Sequence, residues 1–235
     1  MPSNKSKEDT ASIEVNLIVE SRLKMKIDIP KIAPDFEQLA FQEVFKQEDP
    51  SLDRCQIIDD EFEHESMERI NLDQVIFKNC KFMKTTFNHF DALDVRFENC
   101  DLSNVNFMGA SMRRVEFINC KLLGSNFPDA YINHVTFKHS ILNFSTFSHA
   151  KIESVYFDQC SLKQADFFEC KFKQIAFDQC DLDEATFEQS PLKGVDISTS
   201  TFEKLTISVD NLKGCRVSSH QAVQFASLLG LVITR

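Results

Sequence analysis

Val95-Arg96-Phe97-Glu98-Asn99-Cys100-Asp101-Leu102-Ser103-Asn104-Val105-Asn106-Phe107-Met108-Gly109-Ala110-Ser111-Met112 repeats its own pattern every five residues. Phe97, Leu102, Phe107 and Met112 are large and apolar; Val95, Cys100, Val105 and Ala110, two places earlier, are small or β-branched. Followed outward, the large series runs without a slip from Ile57 through Phe62, Met67, Leu72 and Phe77 to Phe202, Leu212 and Val217. A period of five fits neither the 3.6 of a helix nor the 2 of an ordinary strand. A fixed short period held this long predicts a solenoid, in which each repeat buries its apolar face against its neighbours.

Composition follows from the repeat. The chain has 23 Phe, 2 Tyr and no Trp. A flat ring with no polar tip can stack in a narrow dry interior without needing a hydrogen-bond partner. All eight cysteines (Cys55, Cys80, Cys100, Cys120, Cys160, Cys170, Cys180, Cys215) fall at the small position. Packing as small hydrophobes accounts for that placement. Their spacings are multiples of five, unlike the short C-x2-C pairs of zinc sites, so no metal is expected. Near Met1 no basic start followed by an apolar run marks a signal peptide, and no run is long enough to span a bilayer. The expectation is a cytoplasmic chain with reduced thiols.

One position tests the scheme: Ala92 is small where a large residue belongs, and Phe90, two before it, is large where a small one belongs. The volumes are exchanged within one pentad, as a close-packed interior requires. The small sites fail at the ends, at Asp60, Glu65 and Asp210, where a solenoid must be capped.

Four segments are expected. Residues 1–11 form a polar, disordered tail. Residues 12–54 form an N-terminal extension: odd positions from Ile13 to Ile29 alternate as in a strand, and Asp35 with Gln38 reads as a capping box for a short helix to about Gln47. Met25 is an alternative start. Residues 55–217 carry the repeat. Residues 218–235 form a cap: Ser218 with Gln221 makes a capping box, a helix carries Phe225, Leu228 and Leu229, Gly230 stops it, and Leu231, Val232 and Ile233 form a short strand.

Triplets such as Cys100-Asp101-Leu102, Val105-Asn106-Phe107, Ser125-Asn126-Phe127 and Ala165-Asp166-Phe167 resemble the repeating unit of pentapeptide-repeat proteins over about residues 55–217. The resemblance implies an all-β fold, a right-handed quadrilateral parallel β-helix with four pentads to a coil. Residues twenty apart then stack. Phe77, Phe97, Phe117, Phe137, Phe157 and Phe177 share one side and Phe87, Phe107, Phe127, Phe147 and Phe167 the opposite one, with Leu or Ile columns between. About eight coils follow, a rod of roughly 40 Å at about 4.8 Å per strand.

No catalytic constellation is visible. The six His are scattered, and a P-loop, a G-x-S-x-G elbow and H-E-x-x-H are missing, so neither an enzyme nor a cofactor is expected. The net charge of −10 disfavours direct nucleic-acid binding and lies mostly in the repeat. Asp158, Asp178 and Asp196 flank one Phe column, and Asp181, Asp183, Glu184 and Glu203 flank the adjoining Leu column, giving an expected acidic partner-binding edge. Arg113, Arg114, Lys151, Lys171, Lys173 and Lys193 crowd another face.

The stretch Leu212-Lys213-Gly214-Cys215-Arg216-Val217 with Leu228-Leu229-Gly230-Leu231 is similar to the tail of the Qnr-like quinolone-resistance branch of that family. The resemblance implies a homodimer through Phe225, Leu228, Leu229, Leu231, Val232 and Ile233. It also implies a DNA mimic that binds DNA gyrase and topoisomerase IV. The unbroken register leaves no room for the two projecting loops that serve drug protection in some Qnr-like proteins. The alternative is a protein-interaction scaffold or structural rod with an unrelated partner.

Overall fold

The computed structural model describes residues 25–34, 36–46 and 48–234. Seven eight-residue strands, β2 (Ser51–Ile58), β5 (Asn71–Lys78), β8 (Asp91–Glu98), β9 (Ser111–Ile118), β10 (Tyr131–Lys138), β11 (Lys151–Asp158) and β12 (Lys171–Asp178), stack into one parallel sheet with β1 (Glu37–Gln38) on its outer edge. Two short pairs, β3 (Glu61–Glu63) with β6 (Lys81–Met83) and β4 (Ser66–Glu68) with β7 (Thr86–Asn88), build other sides of the first turns. Partners lie twenty residues apart, as Phe97, Phe117 and Phe137 do. The molecule is a parallel β-solenoid of about seven turns with a short C-terminal helix, as the repeat implies. Beyond Leu192 the pentads keep the step but make only single bridges, such as Ala176 to Asp196 and Asp181 to Thr201, which is why the turns fall short of the eight expected.

The period of five has a backbone cause that the apolar pattern did not reveal. Two residues after every inward large side chain, from Arg54 to Gly194, the chain adopts positive φ. A single left-handed residue turns the corner, and the next side begins. Asn, Asp and His tolerate that conformation best among residues with a Cβ, and they recur there at Asn79, Asp94, Asn99, Asn119, His134 and His149. At Gly109 and Gly124 even a Cβ would collide, lying 2.8 Å from His89 Nδ1 and 2.7 Å from Asn104 Oδ1.

The strand spacing fixes the core. Phe117 stacks face to face on Phe97 at 4.9 Å and on Phe137 at 4.8 Å, and Phe127 on Phe147 at 4.8 Å. The two columns meet edge to face, Phe137 against Phe147 at 6.4 Å, so the ring quadrupoles are satisfied across the rod. We name the four sides by their inward residues: Phe117, Leu122, Phe127 and Ile132 in chain order. Phe90 and Ala92 are both buried, and Phe90 lies 5.6 Å from the Phe107 ring, filling the space that Ala92 leaves. Seven cysteines are buried, whereas Cys215, in the last distorted turn, is half-buried.

The N-terminal extension is described from Met25 on, and its expected short helix is present as a 3-10 helix, Phe41–Lys46. Residues 13–24 and Asp35 lie outside the described residues. Residues 25–29 belong to no ladder, with Met25 and Ile27 buried as the alternation requires. Gln38 belongs to β1, paired with Gln56 of β2, so it cannot close a helix cap. The helix begins later, at Phe41, is of the 3-10 type to Lys46, and plugs the open core. Phe41 sits edge-on to Phe62 at 4.7 Å and Phe82 at 5.3 Å, and donates its N–H to Asp60 Oδ2 at 2.9 Å. The acidic residue at a small site is thus an end fitting.

Candidate partner-binding faces

The acidic edge expected from the sequence divides into two unequal parts. On the Leu122 side of the last turns, Asp181, Asp183, Glu184 and Glu203 lie together, Glu184 and Glu203 exposed and the two aspartates partly so. Asp183 Oδ1 accepts N–H groups from Glu203 at 3.0 Å and Lys204 at 3.1 Å, and these donors hold its carboxyl below the usual range. Asp181 is paired with Lys163 at 2.9 Å, and Glu184 accepts from Gln164 at 2.7 Å.

The Phe117 side corrects the sequence reading. Asp158 and Asp178 point away from the core yet are each only 7% exposed. Asp178 accepts from the Tyr156 hydroxyl at 2.8 Å and from Thr199 Oγ1 at 2.6 Å. Burial pushes the Asp158 carboxyl up, although Lys138 and His139 oppose the shift. Burial and the two neighbouring carboxylates push the Tyr156 phenol up. Asp196 is half-buried and accepts the Ser198 N–H. The sequence pattern separates inward from outward, and on this side outward does not mean exposed: Ile76, Arg96, Glu116, Thr136, Tyr156 and Ala176, one outward row, are all buried.

The N-terminal extension runs along this side. Met25 and Ile27 form a cluster with Tyr156 and Ala176. Asp28 donates its N–H to His134 Nδ1 at 3.0 Å, and Lys31 donates its own to Asp94 Oδ1 at 2.8 Å. Asp94 in turn takes both Arg114 nitrogens at 2.6 Å. Glu37 then pairs with Cys55. The strap therefore crosses the turns in order from the C-terminal end of the rod to the N-terminal end. The alternation of Ile13 to Ile29 announced an extended segment, but nothing in it said where the segment docks.

At the C-terminal end, helix α1 (Ser219–Ala226) begins with the expected capping box between Ser218 and Gln221. The buried Gln221 Nε2 also donates to the carbonyls of Ile197 and Ser200, both at 2.8 Å, tying the helix to the last turn. Phe225 is half-buried against Phe202, rings 5.3 Å apart, so part of the expected dimer surface belongs to the cap. Leu228, Leu229, Leu231, Val232 and Ile233 are exposed, Val232 at 88%. Residues 231–234 carry no strand, correcting the expectation: among the described residues no strand pairs with them. An open apolar hollow of about 270 Å3 lies between Val209, Leu212, Val217, Phe225 and Leu229.

Among the described residues, no group of three His, Cys, Asp or Glu could hold a metal ion. No described helix is long and apolar enough to cross a membrane. Burial raises the thiols, Cys55 to about 11 and Cys170 and Cys215 to about 12, so at neutral pH they stay protonated and poorly nucleophilic.

Residues 110–187 match the family model described as the pentapeptide repeat region, and residues 47–127 match that of the SV2A/B/C luminal domain. No curated protein matches the chain. Among solved structures, a trypsin-treated variant of QnrB1, a plasmid-mediated fluoroquinolone resistance protein, is similar at 17% identity and a TM-score of 0.46, over 77% of this chain and 99% of its own. Full-length QnrB1 is similar at 17% identity and a TM-score of 0.44, over 83% and 95%. HetL, a pentapeptide repeat protein involved in heterocyst differentiation regulation from the cyanobacterium Nostoc sp. strain PCC 7120, is similar at 13% identity and a TM-score of 0.35, over 71% and 86%. With a left-handed corner every fifth residue and ladders twenty residues apart, the stretch 110–187 that matches the family model is a pentapeptide-repeat region.

Proposed function

We propose that the protein is a non-enzymatic binding rod that engages the basic, DNA-holding groove of a type II topoisomerase, DNA gyrase or topoisomerase IV, as a DNA mimic. The observation that carries the reading is the acidic cluster of the exposed Glu184 and Glu203 with the partly exposed Asp181 and Asp183 on a regular solenoid scaffold. A fixed array of carboxylates attracts a basic groove at long range and loses little side-chain freedom on docking. The clustered backbone donors keep Asp183 charged where a neutral acid would be useless. The exposed apolar tail from Leu228 to Ile233 supports a homodimer joined at this end, which would present two such clusters.

The test is supercoiling and quinolone-induced cleavage by purified gyrase and topoisomerase IV, with and without the protein, together with competition against DNA at low and moderate salt. Displacement of DNA that weakens as salt rises supports the reading; no effect on any of these activities refutes it. The burial of Asp158 and Asp178 favours a second reading, a scaffold with a different protein partner, because it removes two carboxylates from the groove-facing edge.

A further inference from the structure

The Ile132 side carries opposite charges at its two ends, and each end holds like charges in direct register. In the first turns Asp53 lies opposite Asp73, with Asp91 in the next turn. In the last turns Lys151 lies opposite Lys171, with Lys173 and Lys193 in the neighbouring outward column. Like charges placed directly across a ladder are destabilising, and nothing in the fold requires them there. The Asp73 carboxyl is raised by burial and by repulsion from Asp53 and Asp94. Among the described residues Asp73, Lys171 and Lys193 form no ion pair, whereas Asp53 has Arg54 and Lys173 has Glu153. The strap touches this side at its corner, at Asp94 and His134, and Met25 lines a hollow with Lys193, while the four lysines are exposed.

Asp91 has Arg113 at 3.9 Å and Lys151 stands over the Tyr131 ring at 5.0 Å, so the partners still to be found are those of Asp73, Lys171 and Lys193, and a second copy turned end for end supplies them. With a twofold axis in the interface at mid-height, across the rods, the level of Lys193 just beyond the seventh turn faces the partner's first, the seventh its second and the sixth its third. That sets Lys193 toward Asp53, Lys171 and Lys173 toward Asp73, and Lys151 toward Asp91 on a second copy, twice over by symmetry. We infer that the Ile132 side is a self-association surface on which two copies of this chain pack side by side and antiparallel. The regular rise of the coils keeps all the pairs in step, since both copies have the same spacing. This contact leaves the C-terminal tail free and is independent of the proposed partner.

The test is zero-length carbodiimide cross-linking of the full chain, followed by peptide mass spectrometry. Within one rod Asp73 and Lys173 are five turns apart, about 24 Å at about 4.8 Å per turn, so a cross-link between them can form only between copies. An end-to-end dimer through the tail cannot bring them together either. Cross-links of Lys171 or Lys173 to Asp73, and of Lys193 to Asp53, are expected at low salt and should fade as salt rises. Reversing Lys171, Lys173 and Lys193 to Glu should weaken this association about a hundredfold, as should reversing Asp53, Asp73 and Asp91 to Lys. Mixing the two variants should restore it, because one face then carries reversed acids at its basic end and the other reversed bases at its acidic end, so the facing ends are again opposite in charge. Absence of these cross-links in the wild-type protein, or failure of the mixed variants to associate, overturns the inference.

Discussion

Replacing Phe117 with Ala removes a ring that is wholly buried and sandwiched between Phe97 and Phe137 at 4.9 and 4.8 Å. Burial alone sets the cost of such a truncation at about 3–5 kcal/mol. Two stacking contacts, each contributing about 0.5–1.5 kcal/mol, are lost with it. The neighbours cannot close in, because β9 is hydrogen-bonded to β8 on one side and β10 on the other, and the strand spacing already fixes the ring spacing. The cost should therefore lie near the top of the range, about 5 kcal/mol. Phe144→Ala is the control: its side chain is 54% exposed at a corner and should cost below about 1 kcal/mol. Urea unfolding followed by circular dichroism measures both. Amide exchange then shows whether the turns beside residue 117 open separately, as nearest-neighbour coupling in a solenoid implies. A loss below about 2 kcal/mol at Phe117, or equal losses at the two sites, would refute the inward register and the stacked core.

Thiol titration of the native protein should be slow at all eight cysteines, Cys215 reacting first because it alone is half-buried, and rapid after unfolding; eight fast thiols in the native state would be incompatible with this core. Asp158→Asn should stabilise the protein at pH 7. With its carboxyl raised by burial, the wild type carries its full contribution below the unfolded value of about 4 and loses it as pH climbs through the raised folded value. The gap between variant and wild type in urea midpoint should thus widen from pH 4 to pH 7, and a constant gap rejects the assignment. Leu229→Asp, at a 63% exposed site, should leave the fold intact and separate an end-to-end dimer in light scattering, whereas Phe225→Asp should also loosen the last turn through Phe202. Gly124→Val should destabilise by about 1–3 kcal/mol in the same urea assay, because φ is +67° there and the new Cβ meets the Asn104 side chain; a neutral effect would show that the corner tolerates a β-branched residue.

The solenoid was legible because its signal is periodic and redundant: thirty-odd large positions report the same register, and even the exception at Phe90 and Ala92 obeys the volume rule. Its ends were less legible. Gln38 followed by Phe41 and Val44 has helical spacing, but the open core needs a plug more than a helix, and Asp60 fixes the turn that supplies it. The acidic site was legible only in part. Asp158 and Asp181 look alike in sequence, each an acid beside an inward large residue, yet one is buried and the other is partly exposed. What separates them is the surroundings: Asp158 lies among Lys138, His139, Gln159 and Asp178, on the side where a segment more than a hundred residues away packs against Tyr156 and Ala176, which no local pattern carries.

That segment also orders events in folding. The turns can zip up from contacts twenty residues apart, so most of the rod has little loop-closure entropy to overcome. The strap is the reverse: Asp28 meets His134 across 106 residues of chain, and Met25 meets Ala176 across still more. On a ribosome it emerges first, before any of the surface it will occupy has been made. It must wait, extended and unpaired, until β12 is in place. Strap docking then comes late in folding, after the turns up to Ala176 have formed, and it joins turns that otherwise touch only their neighbours.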